Sequence, residues 1–169
     1  YPSSQPQRAT AESLAVAMDF AEALISAPGF RLGFNSGGSS ASVNHLNFQG
    51  WHFDAGPGGL PLETAATVHE ATLALPVSSG LHRHAHGPPE WRDRVEVHAL
   101  DEYPVRGLVF HTLGKDLEAV GEVLERCVNV LVDSDTPHTM LFSQGRAFLL
   151  PRQHLQPLPF AAVPGFPEL

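Results

Sequence analysis

Two stretches of the chain repeat apolar residues at helical spacing. Leu14, Met18, Ala21 and Ile25 form one stripe, widened by Leu24; Leu117, Val120, Leu124, Cys127 and Leu131 form the other. Steps of three and four residues line up on one face of a helix. The first helix is expected over 11–26, with Thr10 as its N-cap and Pro28-Gly29 as its stop. The second is expected at about 115–133. Elsewhere the pattern is that of strands. "FRLGFNS" (30–36), "HLNFQGWHF" (45–53), "RVEVHAL" (94–100) and "YPVRGLVFHT" (103–112) read this way. "HTMLFSQG" (138–145) and "RAFLLPRQ" (146–153) meet at Gln144-Gly145 and read as a β-hairpin. "TAATVHEATLAL" (64–75) fits helix or strand; its Thr and Val content and the nearby prolines favour strand for part of it.

Antiparallel strands with two helices and no internal repeat predict an α+β fold. Between the elements, "GGSSAS" (37–42) is a small-residue loop and "AGPGGLPLE" (55–63) a second loop. Residues 76–93, "PVSSGLHRHAHGPPEWRD", are expected to be a mobile surface excursion. Residues 1–9 read as an extended lead-in, and the Pro-rich tail as irregular.

Composition narrows the function. With 169 residues the chain is long enough for one domain with a real core. A net charge of −8 disfavours a general nucleic-acid or membrane-surface role, though not a local basic pocket for one phosphorylated ligand. No apolar run approaches the roughly 20 residues of a spanning helix. No signal-peptide pattern opens the chain, and a cytoplasmic location is the expectation. Cys127 is the only cysteine, so no disulfide forms within the chain. It sits in the second apolar stripe, where packing rather than thiol reactivity is expected.

The strand at 45–53 carries the chemistry. His45, Asn47 and Gln49 alternate, which puts them on one face. The preceding loop offers the hydroxyls of Ser36, Ser39, Ser40 and Ser42, with exposed backbone at Gly37 and Gly38 and Asn35 just before it. Hydroxyls, amides and backbone N–H groups held around one point suit the charge on phosphoryl oxygens. Asn35 and Ser36 also suit plain turn contacts. Arg106 is a further phosphate-binding candidate, with a structural ion pair as the other reading. Arg146 and Arg152 flank the hairpin and read as solvated.

"GFNSGGSSASVNHLNFQ", "YPVRGLVF" and "GRAFLLP" together resemble the histidine-triad superfamily, and within it the GDP-L-galactose phosphorylase branch. There a glycine-serine loop precedes N-H-L-H-F-Q, and later elements resembling Tyr103–Phe110 and Gly145–Pro151 follow; the last is one residue shorter here. The helix before the strand is similar too. The resemblance covers about 11–54 and 103–153, and is much weaker over 55–102. It implies an antiparallel sheet with packed helices, and a nucleotidyl transfer that cleaves a GDP-hexose-like nucleotide sugar with inorganic phosphate. No cofactor is required by it. It also implies that the nucleophile is the second histidine of H-x-H-x-Q, a position held here by Asn47. Asparagine forms no useful phosphoramidate, so the covalent ping-pong route is closed to the chain as written. Two explanations stand: a deliberate His→Asn change that traps substrate, or natural divergence to binding or other chemistry. The family's plan extends beyond both ends of the chain, which lacks an initiator Met. The chain is therefore expected to be a single domain or its C-terminal half, completed by a missing segment, a second chain or a homodimer.

A metal is the competing theme. Ten histidines are present, five of them between His69 and His98. His82, His84 and His86 alternate in "HRHAH" and could bind a divalent transition metal, but their Gly- and Pro-flanked loop favours solvated side chains. His52 has the opposite parity to His45 and Gln49. Only a bulge at Gly50 would turn it to the same side. A metal held by His45, His52 and a loop histidine would mean diverged, non-nucleotidyl chemistry.

Overall fold

Thr10 opens the first helix with a reciprocal cap. Its Oγ1 accepts the Ser13 N–H at 3.3 Å, and its own N–H donates to Ser13 Oγ at 2.9 Å. The computed structural model describes residues 7–27, 29–39, 41, 43–54, 56, 59–70, 94–100 and 103–152, with 67–70 as backbone only. Helix α1 spans Ala11–Ala23 and buries Leu14, Ala17 and Met18. It stops short of the expected residue 26, so Ile25 falls beyond the helix and is exposed. Helix α3, Leu117–Asp133, starts at Asp116, whose side chain accepts the Ala119 N–H at 3.1 Å. It buries Val120, Leu124 and Cys127 of the expected stripe, with Val128 beside them, while Leu117 and Leu131 are half-buried. The two helices meet at Gly121, where a Cβ would lie 2.7 Å from the Ala11 carbonyl oxygen.

The strands are β1 (Phe30–Asn35), β2 (Gln49–His52), β3 (Val97–Leu100), β4 (Gly107–His111), β5 (His138–Ser143) and β6 (Arg146–Pro151). They form one sheet in the order β2-β1-β5-β6-β4-β3, every pair antiparallel. The α+β expectation holds. β5 and β6 are the expected hairpin, closed by Gln144 (φ 50°) and Gly145 (φ 73°). Two successive positive φ values make a type I′ turn, whose twist suits the flanking strands.

Alternation along β5 and β6 divides the core between two faces. Met140, Phe142, Ala147 and Leu149 pack toward α1 and α3. Leu141 and Phe148 point the other way and meet Leu62 and Ala66. Those two belong to α2, Pro61–Glu70, so residues 64–70 of the ambiguous stretch are helix, while 71–75 lie outside the described residues. Pro61 suits the first helical position, and Glu63 reaches back to accept the Leu60 N–H at 2.7 Å. Tertiary burial of Leu62 and Ala66 outweighs the modest β preference of Thr and Val.

The strand expected over 45–53 is regular only at Gln49–His52. Its register against β1 runs unbroken through Leu32↔Gly50 and Gly33↔Gln49. There is therefore no bulge at Gly50, and His52 keeps the parity opposite to Gln49. β3 and β4 are likewise shorter than the stretches expected to contain them. The Cys127 thiol is buried, which pushes its pKa up to about 11.

Candidate functional site

The loop after β1 is tied down by its own hydroxyls. Ser36 Oγ accepts the His138 N–H at 2.8 Å, and the Ser36 N–H donates to the His138 carbonyl at 2.9 Å. Ser39 Oγ sits 2.8 Å from that carbonyl and 3.0 Å from the Ser36 carbonyl. Both serines are buried, so they fasten the loop to β5. Asn35 Oδ1 accepts the Thr139 hydroxyl at 2.7 Å across the same seam. Gly38 takes φ 77°, a left-handed conformation that suits glycine. A Cβ at Gly37 would meet open space. Gly37 and Gly38 are exposed, while the Ser36 and Ser39 side chains hold the loop from beneath.

A cavity of about 210 Å³ lies beside the start of this loop, lined in part by Gln7, Arg8, Ser36, Gly37 and His138. His138 is buried and stacks on Phe34 with ring centroids 6.1 Å apart. Burial pushes its pKa down, against the opposing pull of the Thr136 carbonyl. Its Nε2 has no hydrogen-bond partner among the described residues.

The segment leading into β2 keeps its alternation without being strand throughout. Leu46 and Phe48 pack against the core under α1 and α3, and the Phe48 ring lies 5.5 Å from Phe34 and 6.0 Å from Phe142. His45 and Gln49 are exposed and Asn47 is half-buried, so none of the three belongs to the core. Gln49 stands opposite Gly33, whose missing side chain leaves room for the Trp51 ring; a Cβ there would lie 2.8 Å from it. Arg106 is exposed just before β4, and three strands separate β4 from β2. The structure thus joins Asn35, Ser36 and Ser39 to β5 and does not bring Arg106 to the same loop. Ser40, Ser42, His82, His84 and His86 lie outside the described residues.

Two charged groupings escape sequence reading. Arg31 on β1 and Glu63 on α2 are both buried and paired through two hydrogen bonds. Ser143 Oγ donates to the same carboxylate. Burial raises the Glu63 pKa, but hydrogen bonds from Arg31, Ser143 and the Leu60 N–H outweigh it and leave the carboxyl below its ordinary range. The other grouping gathers Glu96, His98, His111 and Lys115 around β3 and β4.

Residues 1–51 match the N-terminal domain, and residues 83–164 the C-terminal domain, of one family described as GDPGP1-like. The chain belongs to the GDPGP1-like family. The relatives share its residues at about one in three. It is 34% identical over 149 residues to GDP-L-galactose phosphorylase 1 of Arabidopsis thaliana, covering 87% of this chain and 28% of that protein. It is 32% identical over 133 residues to GDP-D-glucose phosphorylase 1 of Danio rerio, covering 78% of this chain and 32% of that one. The protein of the same name from Bos taurus is 33% identical over 143 residues, covering 83% and 30%. The chain therefore spans about a third or less of the length of these curated relatives. No solved structure matches it significantly. β1 and nearly all of β2 come from the N-terminal GDPGP1-like match and β3–β6 from the C-terminal one, yet they build a single sheet.

Proposed function

We propose that this chain carries the phosphoryl-handling strand and loop of a GDP-hexose phosphorylase-like protein, with Asn47 in the nucleophile's place. The observation that supports this most is the match to both GDPGP1-like domains, the first running through His45, Asn47 and Gln49. The names of the relatives, GDP-L-galactose and GDP-D-glucose phosphorylases, support a GDP-hexose as the substrate class.

In this reading a histidine at 47 attacks the α-phosphorus of the nucleotide sugar, and the bond from phosphorus to the sugar-phosphate oxygen breaks. Hexose 1-phosphate leaves, and the nucleotidyl group stays on the imidazole. Inorganic phosphate then attacks the same phosphorus and releases a nucleoside diphosphate. The exposed backbone of Gly37 and Gly38 and the Gln49 amide would receive charge on the phosphoryl oxygens. Asn47 supplies size and one polar nitrogen but no nucleophile, so the chain binds the nucleotide sugar without covalent turnover.

Asn47→His tests this directly. The expected result is phosphate-dependent release of GDP from a GDP-hexose, with a nucleotidylated protein detectable by mass spectrometry in the absence of phosphate. The parent chain should bind the nucleotide sugar and release nothing. Failure of the variant with both GDP- and ADP-sugars would leave divergence to other chemistry as the better reading.

A further inference from the structure

Among the described residues, β3 forms the sheet edge opposite to β2, and so lies at the far side from Asn47 and Gln49. Glu96 immediately precedes β3, and its carbonyl accepts the His111 N–H at 3.0 Å. His98 is two residues further along, opposite Val109. The two-residue period puts Glu96 and His98 on one face, and the antiparallel register brings His111 onto it from β4.

The side chains converge. His98 Nε2 lies 3.0 Å from Glu96 Oε1, and His111 Nε2 lies 3.8 Å from the same oxygen. The two rings are 5.2 Å apart and inclined at 70°. One ligand atom from each residue falls within 4.8 Å of the others. A tetrahedral ion with bonds of about 2.0–2.1 Å spaces neighbouring ligand atoms at about 3.3 Å. The two oxygen-to-nitrogen separations straddle that length, so small side-chain adjustments suffice.

We propose that Glu96, His98 and His111 bind one divalent transition metal, with Zn²⁺ the best match. Two imidazole nitrogens and one carboxylate oxygen suit zinc, and disfavour Ca²⁺ and Mg²⁺, which prefer oxygen. Lys115 Nζ donates to the other carboxylate oxygen at 2.8 Å, which turns Oε1 toward the imidazoles. Its positive charge also opposes the ion, so it tempers affinity. The ion would take the place of the His98–Glu96 hydrogen bond and clip the edge strand to its neighbour. Five strand spacings separate β3 from β2, on the order of 20 Å, which makes this a structural site rather than part of nucleotidyl transfer. It stands whether or not the proposed function does.

The test is Zn²⁺ titration by calorimetry, with Co²⁺ absorption as a readout of tetrahedral geometry. The full chain is used, stripped of metal and made without an affinity tag. One equivalent should bind, and the thermal midpoint should rise with added Zn²⁺. His98→Ala and His111→Ala should each weaken binding at least tenfold, and Lys115→Met should tighten it. Changing His82, His84 and His86 together to Ala should leave it unaltered. If the Ala variants fold poorly, His98→Gln keeps a donor toward Glu96 and removes the ligand nitrogen. Affinity insensitive to His98 and His111, binding abolished by the His82, His84 and His86 change, or no binding at micromolar Zn²⁺ would each overturn the proposal.

Discussion

Arg31 on β1 and Glu63 on α2 meet as a two-pronged ion pair, Nε to Oε1 at 2.9 Å and Nη2 to Oε2 at 2.8 Å. Their side chains are only 1% and 3% exposed, so water screens neither charge. Removing one partner strands the other charge in the interior, which costs about 3–5 kcal/mol. Glu63→Gln should lower the urea unfolding free energy by an amount approaching that range. The double change Arg31→Met, Glu63→Leu should recover only part of the loss, because it removes both charges but also takes the acceptor from the Ser143 hydroxyl and the Leu60 N–H. Equilibrium urea denaturation followed by circular dichroism decides between them.

The same carboxylate makes stability depend on pH. Glu63 and Glu96 both sit below their ordinary value of 4.5 in the folded chain, Glu96 at about 2 through hydrogen bonds from Lys115 and His98. The unfolded chain therefore binds more protons than the folded one in this window, and stability falls as pH falls from about 4.5 toward 2. His138, lowered from 6.5 by burial, acts in the same direction at a higher pH. Urea midpoints measured from about pH 7 to pH 3 should decline, and Glu63→Gln should flatten the acidic part of the curve.

Gly121→Ala sets helix propensity against packing. An alanine inside α3 gains about 1 kcal/mol of intrinsic helix preference. Its Cβ would lie 2.7 Å from the Ala11 carbonyl oxygen, so α1 and α3 must separate. Forcing atoms into a packed contact costs about 1–3 kcal/mol. A net loss of about 1 kcal/mol is expected on thermal or urea unfolding, and a gain in stability would show that the helices yield easily.

The hairpin turn offers one stabilising and one destabilising change. Gln144 holds φ 50°, a conformation Asn adopts more readily, so Gln144→Asn should add about 0.5 kcal/mol. Gly145→Ala combines φ 73° with a Cβ 2.7 Å from that of Leu113, and should cost about 1–2 kcal/mol. Both are read from urea midpoints.

Cys127 should resist thiol reagents in the native protein. Burial raises its pKa to about 11, so almost no thiolate exists at neutral pH. Labelling with a disulfide reagent should follow global unfolding in urea. Rapid native labelling would show that α3 opens locally.

Helix α3 and the β5–β6 hairpin were legible because their signals are local: apolar residues three and four apart, and a Gln-Gly turn between apolar runs. Helix α2 was less legible, although Pro61 and Glu63 are ordinary helix-start residues. Thr and Val at 64–68 carry a β preference that obscures the helix, and burial of Leu62 and Ala66 overrides it. The alternation of His45, Asn47 and Gln49 was visible, but the loss of regular strand before Gln49 was not, since Phe48 is placed by Phe34 and Phe142 from other strands. The grouping of Glu96 with His98 and His111 depends on the register of β3 against β4. No spacing along the chain discloses which of ten histidines will meet across a sheet.

The seam between β1 and β5 joins the two family segments edge to edge, through Leu32↔Phe142 and Asn35↔Thr139. Among the described residues, neither segment owns a complete sheet. Among those residues the first, taken through residue 70, supplies two strands and helices α1 and α2, whose buried faces pack largely on β5, β6 and α3 from the second. The second would expose the open edge of β5. Cleavage between residues 70 and 94 should therefore yield two fragments that each fail to fold but reassemble when refolded or co-expressed together. The fold would then behave as a two-part lock whose halves complement each other in trans.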